Sequence, residues 1–151
     1  MTRETTLRER ALRLLTRRDH ARLELQRKLA PFAASPEALD ALLEELSADR
    51  LLSDDRYAEG RAHVLSRRFG SVRIAHELKN QGVSGDVLER VVAGARLTEL
   101  DRAREVWRKR FGEPARNAQE RAKQFRFLQN RGFGLDVIRQ VIRGVGDDDQ
   151  T

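Results

Sequence analysis

The sequence predicts an all-α protein of three tandem three-helix repeats, and three observations carry that prediction. The first is composition: of 151 residues, 39% are hydrophobic, 36% charged and 5% aromatic. Leu, Ala, Arg and Glu dominate and are good helix formers, while Val and Ile mostly come in pairs at helical spacing and leave little material for a sheet. The second is internal repetition at a step of about fifty residues. The third is punctuation, with Ser, Pro, Asp and single glycines standing where helices of that period would start and stop.

The repetition is plainest between the second and third thirds of the chain. Leu78, Asn80, Gly82, Asp86, Val87, Val91 and Gly94 superpose on Leu128, Asn130, Gly132, Asp136, Val137, Val141 and Gly144. Between them Leu88 and Val92 face Ile138 and Ile142. The first third joins through Leu14-Leu15-Thr16-Arg17-Arg18, fifty residues before Val64-Leu65-Ser66-Arg67-Arg68. That second segment, extended to Phe69-Gly70, matches Val106-Trp107-Arg108-Lys109-Arg110-Phe111-Gly112 at an offset of forty-two. The missing eight residues reappear as a longer third-repeat loop around Glu113-Pro114-Ala115-Arg116-Asn117. The predicted units are residues 1–52, 53–96 and 97–146, followed by an acidic tail at 147–151.

Each unit has room for three helices, and local signals place them in order. Thr6 with Glu9 forms a capping-box pattern ahead of the apolar stripe Leu7, Ala11, Leu14 and Leu15. A second helix carries Leu25 and Leu29 and stops near Pro31. Ser35-Pro36 supplies an N-cap with proline at the first helical position, and Leu39, Leu42, Leu43 and Leu46 share one face of the third helix. The second unit opens on Ser53-Asp54-Asp55, acids that favour a helix N-terminus. Gly70-Ser71 separates its first two helices, Gly82 ends the second, and Ser84 is placed to cap the helix of Val87, Leu88, Val91 and Val92. Gly112, Gly132 and Gly144 are expected to play the same part in the third unit, and the weak boundary at Gly94 to Thr98 leaves room for two helices to run together. The Asp147-Asp148-Asp149 run reads as a frayed, solvated end.

Composition also excludes classes of function. There is no cysteine, which removes disulfides, thiolate metal sites and thiol nucleophiles. The N-terminal segment lacks an apolar core and no stretch nears the roughly 18 apolar residues of a membrane span, so a soluble cytoplasmic protein without a membrane partner is expected. His20, His63 and His76 share no metal-ligand spacing, no glycine-rich phosphate loop occurs, and Asp54-Asp55 reads as a helix cap rather than a cation site. No enzyme, metal or cofactor is expected.

What remains is charge. The net charge of +6 favours an acidic partner, and it is unevenly spread. Residues 101–143 hold twelve Lys+Arg against five Asp+Glu, whereas residues 37–55 hold one base against seven acids. The pairs Arg17-Arg18, Arg67-Arg68 and Lys109-Arg110 recur at the end of each unit's first helix, where cations also complement the helix dipole. Stacked repeats would align them as a basic ridge able to follow phosphates or an acidic surface. The second helices add Arg22 and Lys28, Arg73 and Lys79, and Arg121, Lys123 and Arg126. The candidate binding residues are therefore Arg17, Arg18, Arg22, Arg67, Arg68, Arg73, Lys109, Arg110, Arg121, Lys123 and Arg126. Phe69, Trp107, Phe111, Phe125, Phe127 and Phe133 fall at core spacing, so contact with a nucleic acid would run through phosphates rather than stacked bases.

With the units laid out, the sequence resembles the RecX family of bacterial recombination regulators. The likeness runs from about residue 8 to residue 143. It begins with Ala11-x-x-Leu14-Leu15-x-Arg17-Arg18, then Arg22-Leu23-Glu24-Leu25 and Lys28-Leu29. It continues through Leu51-Leu52-Ser53-Asp54-Asp55-Arg56-Tyr57-Ala58, Arg67-Arg68-Phe69-Gly70 and Arg73-Ile74-x-x-Glu77-Leu78-x-x-x-Gly82-Val83. The third unit contributes Phe127-Leu128-x-x-Arg131-Gly132-Phe133 and Val137-Ile138. One departure is Asp19-His20-Ala21, where similar proteins tend to carry a Ser-Arg type cap; Asp19 is expected to cap in its place. The resemblance implies an elongated, curved array of three three-helix repeats that binds RecA in its nucleoprotein filament; a monomer is expected. It implies that such a protein limits filament extension and depresses ATP hydrolysis, strand exchange and co-protease activity, and so bears on DNA repair and the SOS response.

The rival reading is an independent DNA-binding protein or transcription regulator, because three-helix units can resemble helix-turn-helix motifs. A recognition helix presents Arg, Asn or Gln to base edges. The third helices here show paired apolar residues instead, Val87-Leu88 with Val91-Val92 and Val137-Ile138 with Val141-Ile142. A generic helical scaffold has nothing specific in its favour.

Overall fold

A computed structural model describes residues 4–147, which are helical throughout with no strand among them. The first unit comprises α1 (Leu7–Arg17), α2 (Arg22–Leu29), a 3₁₀ turn at Ala30–Phe32 and α3 (Pro36–Ala48). The second comprises α4 (Asp54–Leu65), α5 (Ser71–Asn80) and α6 (Gly85–Leu97). The third comprises α7 (Glu99–Arg110), α8 (Ala118–Asn130) and α9 (Leu135–Asp147). The expected acidic tail lies outside the described residues, except Asp147, which ends α9.

Three apolar clusters hold the units. Ala11, Leu25, Leu29, Leu39, Leu43 and Leu46 are buried in the first, which also takes Leu52. Ala58, Leu65, Ile74, Leu78 and Val83 centre the second, and Ala103, Trp107, Leu128, Phe133, Ile138 and Val141 the third. Each fully buried Leu or Ile stabilises by about 1.5–3 kcal/mol relative to exposure, so every unit has a core of its own. In the third, Trp107 donates to the Gln124 carbonyl at 2.9 Å and Gln124 donates onward to the Glu113 carbonyl at 3.1 Å, which leaves no orphaned polar group.

Several local expectations are met. Thr6 accepts from the Glu9 amide at 3.1 Å, Ser35 from Ala38 at 3.1 Å, and Ser53 from Arg56 at 3.1 Å. Gly82, Gly112 and Gly132 end helices at φ of 82°, 74° and 81°, the left-handed geometry that glycine adopts without a Cβ clash.

The weak boundary at Gly94 to Thr98 resolves into two helices, α6 and α7, parted by Thr98 alone, with Gly94 inside α6. Three local expectations are corrected. Gly144 does not punctuate; it lies inside α9, where flanking helix formers offset a glycine cost of about 1 kcal/mol. Ser84 precedes α6 yet makes no side-chain cap; Gly85, at φ 59°, begins the helix in a left-handed turn that takes the first amides away from the hydroxyl. Asp19 does not cap α2 but pairs with Arg56 at 2.8 Å.

The reason lies in how the units join. The first residue of α4, Asp54, accepts from the Arg22 amide at the head of α2 at 2.8 Å. The first residue of α7, Glu99, accepts from the Ser71 amide at the head of α5 at 3.1 Å. Neither α2 nor α5 has a side-chain cap of its own, so the following unit supplies it. The turn glycines complete the joint at the same fifty-residue step. A Cβ on Gly82 would stand 2.8 Å from the Leu23 Cβ, and one on Gly132 would stand 2.3 Å from the Arg73 Cβ. Two backbone hydrogen bonds, Gly70 to the Arg131 carbonyl (2.9 Å) and Val72 to the Gly132 carbonyl (3.0 Å), close the second joint. Arg102 ties it further, donating to the carbonyls of Ser66, Phe69 and Ala95 at 2.7–2.8 Å. Burial lowers its pKa, with Glu99 acting in the opposite direction.

Candidate functional site

The recurring basic pairs do not share one fate. Arg67 and Arg68 follow α4, while Lys109 and Arg110 form the last turn of α7; the second joint brings the two pairs to the walls of one groove. Val106 and Phe127 lie in the same groove, and Arg131, the residue before the turn glycine Gly132, completes it. No carboxylate lines it. Of its five cations, only Lys109 approaches an acid among the described residues, Glu105 at 3.8 Å.

Aromatic rings lie against two of these cations, Arg110 and Arg131. Phe111 and Phe127 meet edge to face at 5.3 Å. Arg110 lies 5.2 Å from the Phe111 ring centre, and Arg131 lies 5.2 Å from that of Phe127 and 5.7 Å from that of Phe69. Arg73 stands over the other reach of Phe69 at 4.6 Å. Each such contact is worth about 0.5–1 kcal/mol at an exposed site, and it leaves the guanidinium N–H edges free to meet an anion. The rings read as core from their spacing are therefore half core and half platform. Arg131 was missed as a candidate because its repeat equivalent is Gln81, so repetition does not single it out.

The first-unit pair stands apart. Arg18 makes two hydrogen bonds to Glu24, at 3.0 and 2.7 Å, and Arg22 pairs with Glu44 at 2.9 Å. Burial works to raise the Glu24 carboxyl, but Arg18, His20 and Lys28 together carry it below the usual carboxylate range. Arg18 lines a cavity of mixed sign with Asp19, Arg56, Arg61 and Glu77. Only Arg17 of that pair is exposed without a carboxylate partner among the described residues. Arg121 and Arg126 line a separate face of α8, and Lys123 lies in neither groove.

His20 is 2% exposed, with Nδ1 3.1 Å from the Arg18 carbonyl and Nε2 3.0 Å from the Lys28 ammonium. Burial lowers its pKa; the Arg18 and Lys28 charges act in the same direction, while the Arg18 carbonyl and Glu24 oppose them. The neutral ring is thus the form the fold prefers. On acidification the unfolded chain takes up this proton first, so stability is lost as pH falls through about 6.5, the ordinary histidine value. The loss stops growing below the folded-state pKa. Urea denaturation at stepped pH should show it, and His20→Gln should flatten that part of the profile; an unchanged slope would refute the assignment.

Among the described residues no three His, Asp or Glu side chains converge as metal ligands would, and no helix is long and apolar enough to cross a membrane.

The comparisons fit this architecture. Residues 53–92 match the family profile described as the second three-helix domain of RecX, and residues 98–142 match the third. A protein named regulatory protein RecX from Leptothrix cholodnii is 46% identical, over 93% of this chain and 89% of its own length. One of the same name from Chromobacterium violaceum is 47% identical, over 95% and 93% respectively. The crystal structure of RecX from Lactobacillus salivarius superposes with a TM-score of 0.80 at 18% identity, covering 93% of this chain and 94% of that one. A second crystal structure of a regulatory protein RecX gives a TM-score of 0.76, covering 91% of this chain and 71% of that one.

Proposed function

The chain belongs to the RecX family of regulatory proteins, and from that premise we propose that it binds RecA on DNA and restrains the filament without chemistry of its own. The observation that carries this reading is the groove between the second and third units, where Arg67, Arg68, Lys109, Arg110 and Arg131 face outward with no acid among them. Such a groove suits DNA phosphates or an acidic protein surface. A repeat array meets a helical partner along a long surface, and a ligand that prefers one filament state shifts the equilibrium by its differential affinity alone. Residues 1–52, 53–96 and 97–146 are the working units in this reading, and the protein acts in the cytoplasm as a monomer.

The test is RecA ATP hydrolysis on single-stranded DNA while this protein is titrated well below one per protomer. Inhibition is expected, and Arg68→Glu/Arg110→Glu should raise the half-inhibitory concentration about tenfold, equivalent to about 1.4 kcal/mol. Its circular dichroism should stay that of the unaltered protein. Full activity of RecA at every ratio would overturn the reading. Sequence-specific binding to duplex DNA without RecA would point to the DNA-binding regulator instead.

A further inference from the structure

Ala21 and Ser71 stand fifty residues apart at the heads of α2 and α5, and each is sealed by the next unit, with exposures of 0% and 4%. A carboxylate closes each joint, Asp54 on the Arg22 amide and Glu99 on Ser71. Apolar residues come with it; Tyr57 and Ala58 share a core with Ala21. One more step of fifty arrives at Arg121, which is exposed.

The face around Arg121 is not a third copy of the amide joint. Helix α8 begins at Ala118, a turn earlier than its repeat partner α5, and that turn is closed from within. Asn117 accepts from the Glu120 amide at 2.8 Å, and Glu120 accepts from the Arg116 amide at 2.7 Å. What the face retains is an apolar floor of half-buried Phe125 and Ile142, lined by Arg121, Arg126, Arg139 and Arg143. None of these four arginines has a carboxylate partner among the described residues.

We propose that this end face docks an acidic segment of a partner protein, in which carboxylates flank a large apolar side chain. The arginines select the charge, since a guanidinium pairs with a carboxylate through two parallel hydrogen bonds. The floor selects protein over nucleic acid, because a phosphate chain meets the cations but brings no aliphatic side chain to cover Phe125 and Ile142. This surface is separate from the groove of Arg67 and Lys109 and requires no particular partner to be RecA.

The probe is a fluorescein-labelled Asp-Asp-Leu-Phe-Glu-Glu-Leu peptide, followed by anisotropy and by amide shifts in NMR spectra of the full chain. Shifts are expected within residues 118–126 and 139–143. Arg139→Glu/Arg143→Glu should weaken binding about tenfold or more, while the charge-matched Arg13→Glu/Arg96→Glu, at exposed positions outside this face, changes it by no more than about twofold. A variant of the peptide with alanine at its apolar positions should bind about tenfold more weakly. The proposal is overturned if the peptide maps elsewhere or not at all, or if an eight-nucleotide oligo(dT) binds this face more tightly. It is equally overturned if Asp147→Asn/Asp148→Asn/Asp149→Asn raises affinity tenfold, which would make the chain's own tail the occupant. The assay contains no RecA, so its outcome is independent of the ATPase result.

Discussion

Glu99→Ala is expected to lower the unfolding free energy by about 3–5 kcal/mol, the cost of removing one partner from a buried charged network. The carboxylate is 3% exposed and serves three donors from two helix heads. Oε1 accepts from the Ser71 amide and the Gly134 amide, both at 3.1 Å, and Oε2 accepts from the Ser71 hydroxyl at 2.8 Å. Alanine would leave the donors buried, and it would leave Arg102 nearby without its counter-charge. Glu99→Gln keeps one acceptor oxygen and should cost less, about 1–2 kcal/mol. Asp54→Ala, at the half-buried counterpart joint, should cost about 1 kcal/mol because water can reach the exposed amide. Urea denaturation measures all three. Hydrogen exchange gives a second readout: the Ser71 and Gly134 amides should lose protection in the alanine variant before α4 and α7 do. A loss below about 1 kcal/mol for Glu99→Ala would show that the joint is held by something else.

Gly132→Ala is the second large effect, at about 3–4 kcal/mol. The left-handed backbone at φ 81° costs a Cβ-bearing residue about 1–2 kcal/mol by itself. The remainder is overpacking, because the new Cβ would lie 2.3 Å from the Arg73 Cβ and 2.7 Å from the Arg73 amide nitrogen, which is backbone and cannot turn aside. Gly82→Ala shares the conformation at φ 82° but meets the Leu23 side chain at 2.8 Å, so it should cost about 2 kcal/mol. Gly94→Ala provides the opposite sign: nothing stands within 4 Å and the position lies inside α6, so about 0.5–1 kcal/mol of stability is gained. Thermal unfolding ranks the three. If Gly132→Ala cost no more than Gly82→Ala, the close approach of the second and third units would not be the constraint. Because Arg131 precedes this turn and lines the basic groove, the proposed function further predicts that Gly132→Ala weakens RecA inhibition more than its stability loss explains.

These two sites show how legible the molecule was from residues alone. The turn glycines were visible as helix ends, since a glycine after an apolar period has a local reason to be there. Their second duty, making room for the Leu23 side chain and the Arg73 backbone, was not visible, because it concerns residues about sixty positions away. Glu99 gave no signal at all; in sequence it is one more acid near a helix start. Asp54 was recognised as an N-terminal acid, but its amide belongs to α2 rather than to its own helix. The basic pairs were found by repetition, yet repetition does not tell which cations are already taken. Arg18 is held by Glu24, six residues on, whereas Arg68 and Arg110 meet no carboxylate among the described residues.

Residues alone were enough for an all-α chain in three repeating units, most of its helix ends, its three cores and its surplus of positive charge. Those properties follow from consecutive residues, through a 3.6-residue period, caps within four positions and a fifty-residue echo. Packing between distant helices sets where that charge gathers. It brings the second and third basic pairs to one groove, pairs Arg18 of the first with Glu24, and leaves a separate set of arginines on the last unit. The physical reason is that a cation's availability depends on which acid reaches it, and that is set by the register between helices tens of residues apart. In this array the buried carboxylate of Glu99, the close approach at Gly132 and the backbone hydrogen bonds of Gly70 and Val72 together hold that register at the second joint.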